Sequence, residues 1–477
     1  MRIRLIHICA LGGVALAMAA IGSNLKANST PPPIVGAVPG KTLIHGWADI
    51  HAHQLSNLGF GGGLVSGAHD YQPRGGYDWD SPLPGCNGRH GLSWIPGTIK
   101  ITIGPFAAFQ TKMEVEVGSH GSNFSGTSVP RAALWQNVHH QQYWKGWLKN
   151  AHDNGMKLFV VSAVSNELLC NVIPSEYRLR NGVRPVSCDD WSNVVRQIEA
   201  AHKFARENSW YRIAKSPAEA RQIIAEGDLA VVLAVEASNI WGHTGDWNDI
   251  RRRIDQLYAM GVRSMQPVHM FDNNVSGTAR FMGIMDIASG IQNALNNGTK
   301  PWFYVANPIA FVNAVRLEKT NADSAGNNLK GLSSNGFRMI RHMMDKKIII
   351  DLAHVSHRAF NQAYEEMKQR QYYPITVTHS HFKAMFNKEK QDEKKHDMDK
   401  IRKFLQRGGI FGVRPGPDRV KTFTPAGVSN NCQGSSRSFA QSYLLGVKGY
   451  RLPMAFGMDM NGMIAMSRPR FVGGKWS

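Results

Sequence analysis

Residues 347–357 read KIIIDLAHVSH, and they carry the pattern from which the architecture follows. Residues 347–352 form a short apolar run of β-branched side chains, which is typical of a buried strand. The run is followed by His354 and then by an amphipathic helical pattern over residues 358–370. A buried strand, a polar residue at its carboxyl end and a helix make one βα unit of a parallel sheet.

The same unit recurs along the chain. We predict strands at residues 43–50, 157–164, 229–235, 262–268, 347–352, 375–378, 409–413 and 453–457. We predict helices at residues 247–260, 335–345, 358–370 and 398–407. No glycine-rich dinucleotide fingerprint follows the first strand. The pattern therefore favours an α/β fold of the closed (β/α)8 TIM-barrel type over a doubly wound sheet.

Side chains that can ligate a metal follow most of the predicted strands. Because the carboxyl ends of parallel strands meet at one mouth of a barrel, we expect these side chains to converge there. Residues two apart share one face of a strand, so His51 and His53 are expected to point at the same site. In chain order, the residues at the strand ends are His51, His53, Glu236, His269, His354, His379 and Asp459.

Imidazoles and carboxylates that converge in this way predict a zinc centre. We expect two Zn²⁺ ions per chain, with Glu236 shared between them, and metal-assisted hydrolysis as the reaction class. Asp459 is predicted to take a proton from the attacking water. Other interpretations stay open: Glu236 as half of a buried ion pair, and His269 as a hydrogen-bonded residue behind the ligands instead of a substrate contact. The predicted metal ligands are His51, His53, Glu236, His354 and His379.

Five motifs resemble those of the membrane (renal-type) dipeptidases of the amidohydrolase superfamily. The resemblance runs from about residue 229 to residue 462 and rests on VVLAVEAS (231–238), GLSSNGFRMIRHM (331–343), IIIDLAHVSH (348–357), PITVTHSH (374–381) and AFGMDMNG (455–462). It implies a (β/α)8 barrel with a binuclear zinc centre. It also implies hydrolysis of dipeptides, including some with a D-residue at the carboxyl end, and of related amides.

The resemblance also implies roles for individual residues. His51 is similar to a ligand of the first metal, and His354 and His379 are similar to ligands of the second. Glu236 resembles the bridging carboxylate. The two catalytic positions implied are His269, which resembles the histidine that contacts the substrate or its tetrahedral intermediate, and Asp459, which resembles the catalytic carboxylate.

The sequence departs from that family at three places. His51-x-His53 stands where the family has His-x-Asp, and Ala237-Ser238 stands where it has Gly-Gly. The region of the family's substrate-binding arginine reads Lys394-Lys395-His396, so we expect Lys394 or Arg414 to bind the substrate carboxylate. These departures keep two alternatives open. One is hydrolysis of a lactone, cyclic amide or phosphoester, and the other is a non-catalytic envelope binding protein on a degenerate barrel.

The two ends of the chain predict export. Residues 1–27 have the charged start, apolar stretch and small residues of a signal peptide, with an uncleaved membrane anchor as the alternative. Residues 28–42 form a Pro-rich linker, and the barrel is predicted over residues 43–477, with insertions at about 57–147 and 166–191. The last strand leaves little room for an eighth helix, which predicts either another closing element or truncation. The expected location is periplasmic or extracellular.

Charge and cysteine content restrict the partners and the compartment. The 477 residues include 55 Lys and Arg against 35 Asp and Glu, a net charge of +20. The basic residues are scattered, and the run over residues 388–403 is interleaved with acids. We therefore predict no nucleic-acid partner and a solvated helix face there, with an anionic membrane surface as a candidate partner. In an oxidising compartment, four cysteines downstream of the signal could form two disulfides, with Cys170–Cys188 the natural local pair.

Overall fold

Parallel strands form the centre of the protein, which we describe from a computed structural model. The structure describes residues 43–62, 64–72, 83, 140–167, 170, 187–242, 244–280, 322–370, 373–462, 464–472 and 475–476. The strands are β1 (Trp47–Ala52), β2 (Met156–Ser165), β3 (Tyr211–Ile213), β4 (Leu229–Ala237), β5 (Val262–Met265), β6 (Ile349–Ile350), β7 (Ile375–Ser380), β8 (Gly409–Val413) and β9 (Met454–Phe456), followed by the small antiparallel pair β10 (Phe471–Val472) and β11 (Lys475–Trp476).

Helices follow most of these strands. They are α1 (Lys145–Asp153), α2 (Asp190–Glu207), α3 (Pro217–Ala225), α4 (Trp247–Ala259), α5 (Ser334–Asp345), α6 (His357–Gln369), α7 (Met398–Arg407) and α8 (Ser436–Leu444). Several begin after a Ser or Asp whose side chain accepts a hydrogen bond from the first turn, as Ser333 does from the Gly336 amide at the start of α5. Such caps satisfy amides that have no partner within the helix. Within the described residues, no helix combines the length and the apolar character needed to cross a bilayer.

Eight of the parallel strands close into a barrel. Hydrogen bonding gives the order β6-β5-β4-β2-β1-β9-β8-β7. The two ends of this path meet where Asp351 pairs with Thr376 in a parallel bridge and the Leu352 amide donates to the Thr376 carbonyl over 2.9 Å. The short β3 lies outside this order and pairs with the first half of β4. The predicted (β/α)8 barrel is therefore confirmed.

The two faces of the strands pack into separate apolar clusters. One cluster takes a buried residue from each of four adjacent strands, and these side chains fill the barrel interior: Ile50, Val160, Ala234 and Ala455. The intervening residues of β4 belong instead to the large cluster shared with the helices, which includes Leu233, Met339, Ile340 and Phe360. Because side chains alternate along a strand, this division leaves the last inward-facing position of β4 for Glu236.

A β-bulge in β1 decides which way its histidines point. Asp49 pairs with Phe159 and Ala52 with Val161, so three steps on β1 match two steps on β2. Ile50 lies in the interior cluster and Ala52 in the outer one. The extra residue therefore places His51 on the inner face, together with His53. Bulges of this kind re-aim side chains next to functional sites.

The structure differs from the sequence predictions mainly at element ends. β1 starts at Trp47 instead of residue 43, because Leu43 and Ile44 are 50% and 42% exposed. β5 ends at Met265 and does not reach residue 268. The expectation of a solvated face over residues 388–403 is wrong in part, because Lys400 is buried and donates to the Glu393 carbonyl over 3.1 Å. Cys170 and Cys188 form a disulfide.

Several sequence predictions concern residues outside the described part of the chain. They are the signal peptide, the Pro-rich linker and most of the two insertions at 57–147 and 166–191. These remain predictions.

Candidate metal centre at the barrel mouth

One oxygen of Glu236 faces a first group of ligand atoms. Glu236 Oε2 lies 3.0 Å from His51 Nε2 and 3.0 Å from His53 Nε2, and these two nitrogens are 3.2 Å apart. Asp459 Oδ1 lies 3.3 Å from His53 Nε2 and 3.8 Å from His51 Nε2. All four side chains are buried, and their ligand atoms lie within 4.8 Å of one another. We call these residues the first position.

The other oxygen of Glu236 faces a second group. Glu236 Oε1 lies 3.0 Å from His354 Nε2 and 3.7 Å from His379 Nε2, and the two imidazole nitrogens are 2.9 Å apart. We call Glu236, His354 and His379 the second position. A single carboxylate at the end of β4 thus joins ligand atoms from β1 with ligand atoms that follow β6 and lie in β7.

At the first position, burial and the neighbouring side chains shift the pKa values in opposite directions. Burial alone would lower the pKa of His53, but its hydrogen bonds to Asp459 and Glu236 outweigh burial and raise that pKa to about 10. Burial would raise the pKa of Glu236, yet the surrounding imidazoles, His269 and His51 first among them, hold it well below its ordinary value. These carboxylates therefore favour a positive charge between them, and a divalent cation can supply it in place of the His53 proton.

Hydrogen bonds behind the first position fix the tautomers of its histidines. His53 Nδ1 lies 2.9 Å from the Ser162 carbonyl oxygen, which only accepts, so Nδ1 carries the proton. The Thr378 hydroxyl donates to Asp351 Oδ2, and its oxygen then accepts from His51 Nδ1 over 2.9 Å. Both rings thus point Nε2 into the site, the atom through which such histidines ligate a metal.

Thr378 also contacts the second position. Its hydroxyl oxygen lies 3.2 Å from His379 Nδ1. One hydroxyl therefore orients one histidine of each position. Neighbouring Gln266 supports the same arrangement, because its Nε2 donates to Glu236 Oε1 over 3.0 Å and to Asp351 Oδ2 over 2.8 Å.

A turn after β9 delivers Asp459 to the site. Asp459 and Asn461 have φ angles of 54° and 63°, the left-handed region that Asp and Asn tolerate better than most residues. The Asp459 amide donates to the His51 carbonyl over 2.8 Å, and Asn461 Nδ2 donates to the His53 carbonyl over 3.1 Å. Burial raises the pKa of Asp459, but the hydrogen bond to His53 prevails and the pKa stays below its ordinary value. Its carboxylate is therefore ionised and able to accept a proton.

His269 lies at the opening beside the second position. Its Nε2 is 3.6 Å from Glu236 Oε1, and within the described residues its buried Nδ1 has no hydrogen-bond partner. Burial lowers the pKa of His269 to about 3, so the ring is neutral. A neutral ring with an unused buried nitrogen can donate a hydrogen bond to a substrate oxygen.

The two residues predicted to bind a substrate carboxylate lie in different places. Lys394 Nζ is 2.9 Å from His354 Nε2 and 3.2 Å from His379 Nε2, within the second position. Arg414 follows β8, is partly buried, and has a guanidinium nitrogen 3.8 Å from Asp418 Oδ2. Arg414 therefore lies at the carboxyl end of β8, outside the atoms of both positions. The carboxylate-binding role of either residue stays a prediction.

One protein family matches part of the chain. Residues 306–463 match the membrane dipeptidase family, peptidase family M19. The matched part covers 158 of the 477 residues. It includes His354, His379, Lys394, Arg414 and Asp459, while His51, His53 and Glu236 come from the preceding half. No curated protein matches the sequence.

Solved structures with a similar fold include three named as peptidases. The probable dipeptidase PvdM from Pseudomonas aeruginosa is 15% identical, with 58% of this chain and 55% of that chain covered and a TM-score of 0.39. Dipeptidase AC, a family M19 metallopeptidase, is 14% identical, with 58% and 64% covered and a TM-score of 0.38. A metallopeptidase from Rhodobacter sphaeroides, liganded with a phosphinate mimic of L-Ala-D-Ala, is 12% identical, with 67% and 79% covered and a TM-score of 0.40. The chain thus matches less than two thirds of the first two.

The residues present fit the metal of a membrane dipeptidase. The first position offers two imidazole Nε2 lone pairs with fixed tautomers and two carboxylate oxygens, the mixed N/O set that suits Zn²⁺. Burial lowers the pKa of His354 to about 4 and that of His379 well below its ordinary value, so both rings of the second position are neutral.

The sequence predicts that the ligands converge at one site, but it does not identify the residues that orient them. Thr378, Gln266 and Asp351 carry no signal beyond their place at strand ends beside a predicted ligand. His381, two residues after His379, lies outside both positions, with Nε2 3.7 Å from Asp418 Oδ2.

Proposed function

We propose that the protein is a zinc-dependent hydrolase of the membrane dipeptidase type, which cleaves dipeptides or related small amides. The observation that carries this proposal is the position of Glu236, whose two carboxylate oxygens face two separate groups of imidazole nitrogens. Oε2 lies 3.0 Å from His51 and His53, and Oε1 lies 3.0 Å from His354 and 3.7 Å from His379. This is the arrangement expected of a carboxylate shared by two cations. The family match over residues 306–463 supports the same conclusion.

The chain offers donors for two zinc ions. His51, His53, Glu236 and Asp459 would hold the first, and Glu236, His354 and His379 the second. A bound divalent cation lowers the pKa of a water molecule and polarises the carbonyl to be cleaved. Proton transfer, stabilisation of the oxyanion and binding of the substrate carboxylate are assigned to the protein's own side chains.

We assign the proton transfer to Asp459 and the stabilisation of the oxyanion to His269. The ionised Asp459 carboxylate accepts a proton from the attacking water and passes it to the leaving amine. Neutral His269, on the side of the second position, donates a hydrogen bond to the oxyanion that forms from the carbonyl. Asp459 lies beside His53 and His51, on the Oε2 side of Glu236, and His269 lies 3.6 Å from Glu236 Oε1.

Arg414 is the better of the two candidates for the substrate carboxylate. It lies at the carboxyl end of β8, and its guanidinium can bind a carboxylate through two parallel hydrogen bonds. Lys394 offers a single point charge that already contacts two imidazoles. A free carboxylate on the substrate fits a dipeptide better than a lactone or a phosphoester.

We further propose that the protein is exported and acts in the periplasm or outside the cell. The signal-like residues 1–27 and the Cys170–Cys188 disulfide support export, because disulfides persist in oxidising compartments. The net charge of +20 supports contact with an anionic membrane surface.

Hydrolysis of a defined substrate panel tests the proposal. Protein stripped of metal and then reconstituted with Zn²⁺ is assayed on dipeptides with L- or D-residues at the carboxyl end, on their carboxamides and on lactones. We expect zinc-dependent cleavage of dipeptides, loss of it in Glu236→Gln, and retention in the exposed control Glu365→Gln. Cleavage of lactones alone would favour the second hydrolase hypothesis. Zinc binding without turnover of any compound would favour a binding protein.

A further inference from the structure

Lys394 lies inside the candidate metal centre. Its Nζ is within hydrogen-bonding distance of both imidazole nitrogens of the second position, at 2.9 Å from His354 Nε2 and 3.2 Å from His379 Nε2. These are the same nitrogens that face Glu236 Oε1. The lysine side chain thus reaches the place where a second cation would be held.

The Lys394 ammonium group and a metal ion cannot bind the same two imidazole nitrogens at the same time. A protonated lysine has three N–H donors and no acceptor, so the imidazoles must offer it their Nε2 lone pairs. A metal ion needs those same lone pairs. One lone pair cannot serve an ammonium hydrogen and a cation together, and two positive groups at this separation also repel each other.

The backbone around Lys394 is anchored on several sides. The Lys394 carbonyl accepts from Ser380 Oγ over 2.8 Å. The preceding Glu393 accepts from the amides of Arg280 and Asn328 over 2.8 and 2.9 Å, and its own carbonyl accepts from Lys400 Nζ. The fold therefore fixes the point from which the Lys394 side chain enters the site.

We infer that Lys394 competes with the second cation for His354 and His379, so that the two positions bind zinc with different affinities. The first position fills first. The second fills only when the Lys394 ammonium withdraws from the two imidazoles. This inference rests on the proposed metal-dependent function, and it makes the one-zinc form, with Lys394 as a built-in positive charge, the principal form at low zinc concentration.

Zinc titration of lysine variants tests the inference. Metal-free wild-type protein, Lys394→Met, Lys394→Gln and the control Lys395→Met are titrated against a chromophoric chelator, and bound zinc is measured after dialysis at fixed free zinc. Lys395 is a suitable control because it adjoins Lys394 but pairs with Asp392. Circular dichroism checks that each variant is folded, and Co²⁺ spectra report each position independently of activity.

The expected result is two unequal zinc equivalents in the wild type and in Lys395→Met. Both Lys394 variants should bind the second equivalent about 10–100-fold more tightly, the range seen when a group next to metal ligands is altered. Adding His354→Ala to Lys394→Met should remove that gain. Two equal equivalents in the wild type, or an unchanged second equivalent in folded Lys394 variants, would overturn the inference and leave the proposed function standing. Protein that binds no zinc at all would overturn both.

Discussion

Replacing Thr378 by Val probes the side chain that orients both metal positions. Valine has nearly the same shape as threonine but lacks the hydroxyl. In the wild type that hydroxyl donates to Asp351 and lies 2.9 Å from His51 Nδ1 and 3.2 Å from His379 Nδ1. The change therefore removes an acceptor from one histidine of each position while keeping the packing of β7.

The size of the expected effect follows from the buried polar atoms that lose a hydrogen-bond partner. Asp351 loses the hydrogen bond from Thr378 but keeps the one from Gln266 Nε2. The two buried Nδ1 atoms lose the Thr378 oxygen, at about 1–3 kcal/mol each. We expect the metal-free variant to lose about 2–6 kcal/mol of unfolding free energy. We expect zinc affinity to fall by about 10–100-fold, because the imidazoles lose the contact that holds the Nε2 lone pairs towards the site.

Two measurements check this prediction. Urea unfolding of metal-free protein gives the stability change, and competition with a chromophoric chelator gives the zinc affinity. Thr376→Val is the matched control, since it makes the same substitution two residues earlier in β7. Zinc affinity that is equal in Thr378→Val, Thr376→Val and the wild type would refute the assignment of Thr378 as the orienting residue.

Three further predictions follow from the site and its surroundings. Chelation of zinc should lower the unfolding free energy by about 2.7 kcal/mol relative to protein in zinc at 100 times its dissociation constant, and an unfolding curve that chelation leaves unchanged would contradict this. Arg414→Met should raise KM for dipeptides with a free carboxylate more than for their carboxamides, whereas the exposed control Arg419→Met should alter neither. Burial and the neighbouring Glu167 raise the pKa of Asp190 to about 8. Folded protein therefore keeps a proton that unfolded protein loses between about pH 4 and pH 8, so stability should fall as pH rises through that window, by up to about 1.4 kcal/mol per pH unit. Asp190→Asn should flatten that slope in urea unfolding of metal-free protein, and an identical slope in the variant would refute the assignment.

The barrel could be predicted from the sequence because each strand repeats one local pattern. Apolar β-branched runs such as residues 229–235 need no long-range information to be recognised. The run at 347–352 is recognised in the same way, although exposed Ile349 lies between buried Ile348 and Ile350. β3 has three residues, Tyr211–Ile213, and carries no such run. The bulge in β1 was also beyond prediction, because it depends on how β1 pairs with β2. Without the bulge, His51 would face outward.

The candidate site was predictable to the level of its ligands and no further. Histidines and carboxylates at strand ends are conspicuous in a sequence, and the barrel brings the ends together. Thr378 and Gln266 are ordinary strand residues whose importance comes only from the atoms that they contact. The Lys394 side chain was expected at the substrate carboxylate. Its approach to His354 and His379 depends on how the segment after β7 is anchored by Ser380 and Glu393, which sequence spacing does not reveal.

The central claim is that buried imidazoles and carboxylates from β1, β4, β7 and the turns after β6 and β9 hold a catalytic metal. The most direct test is an anomalous difference map at the zinc edge from crystals of the zinc-reconstituted protein. The account predicts a strong peak within about 2.0–2.2 Å of His51 Nε2, His53 Nε2 and a Glu236 oxygen. A map without a peak at these atoms, from crystals that contain zinc elsewhere, would contradict it.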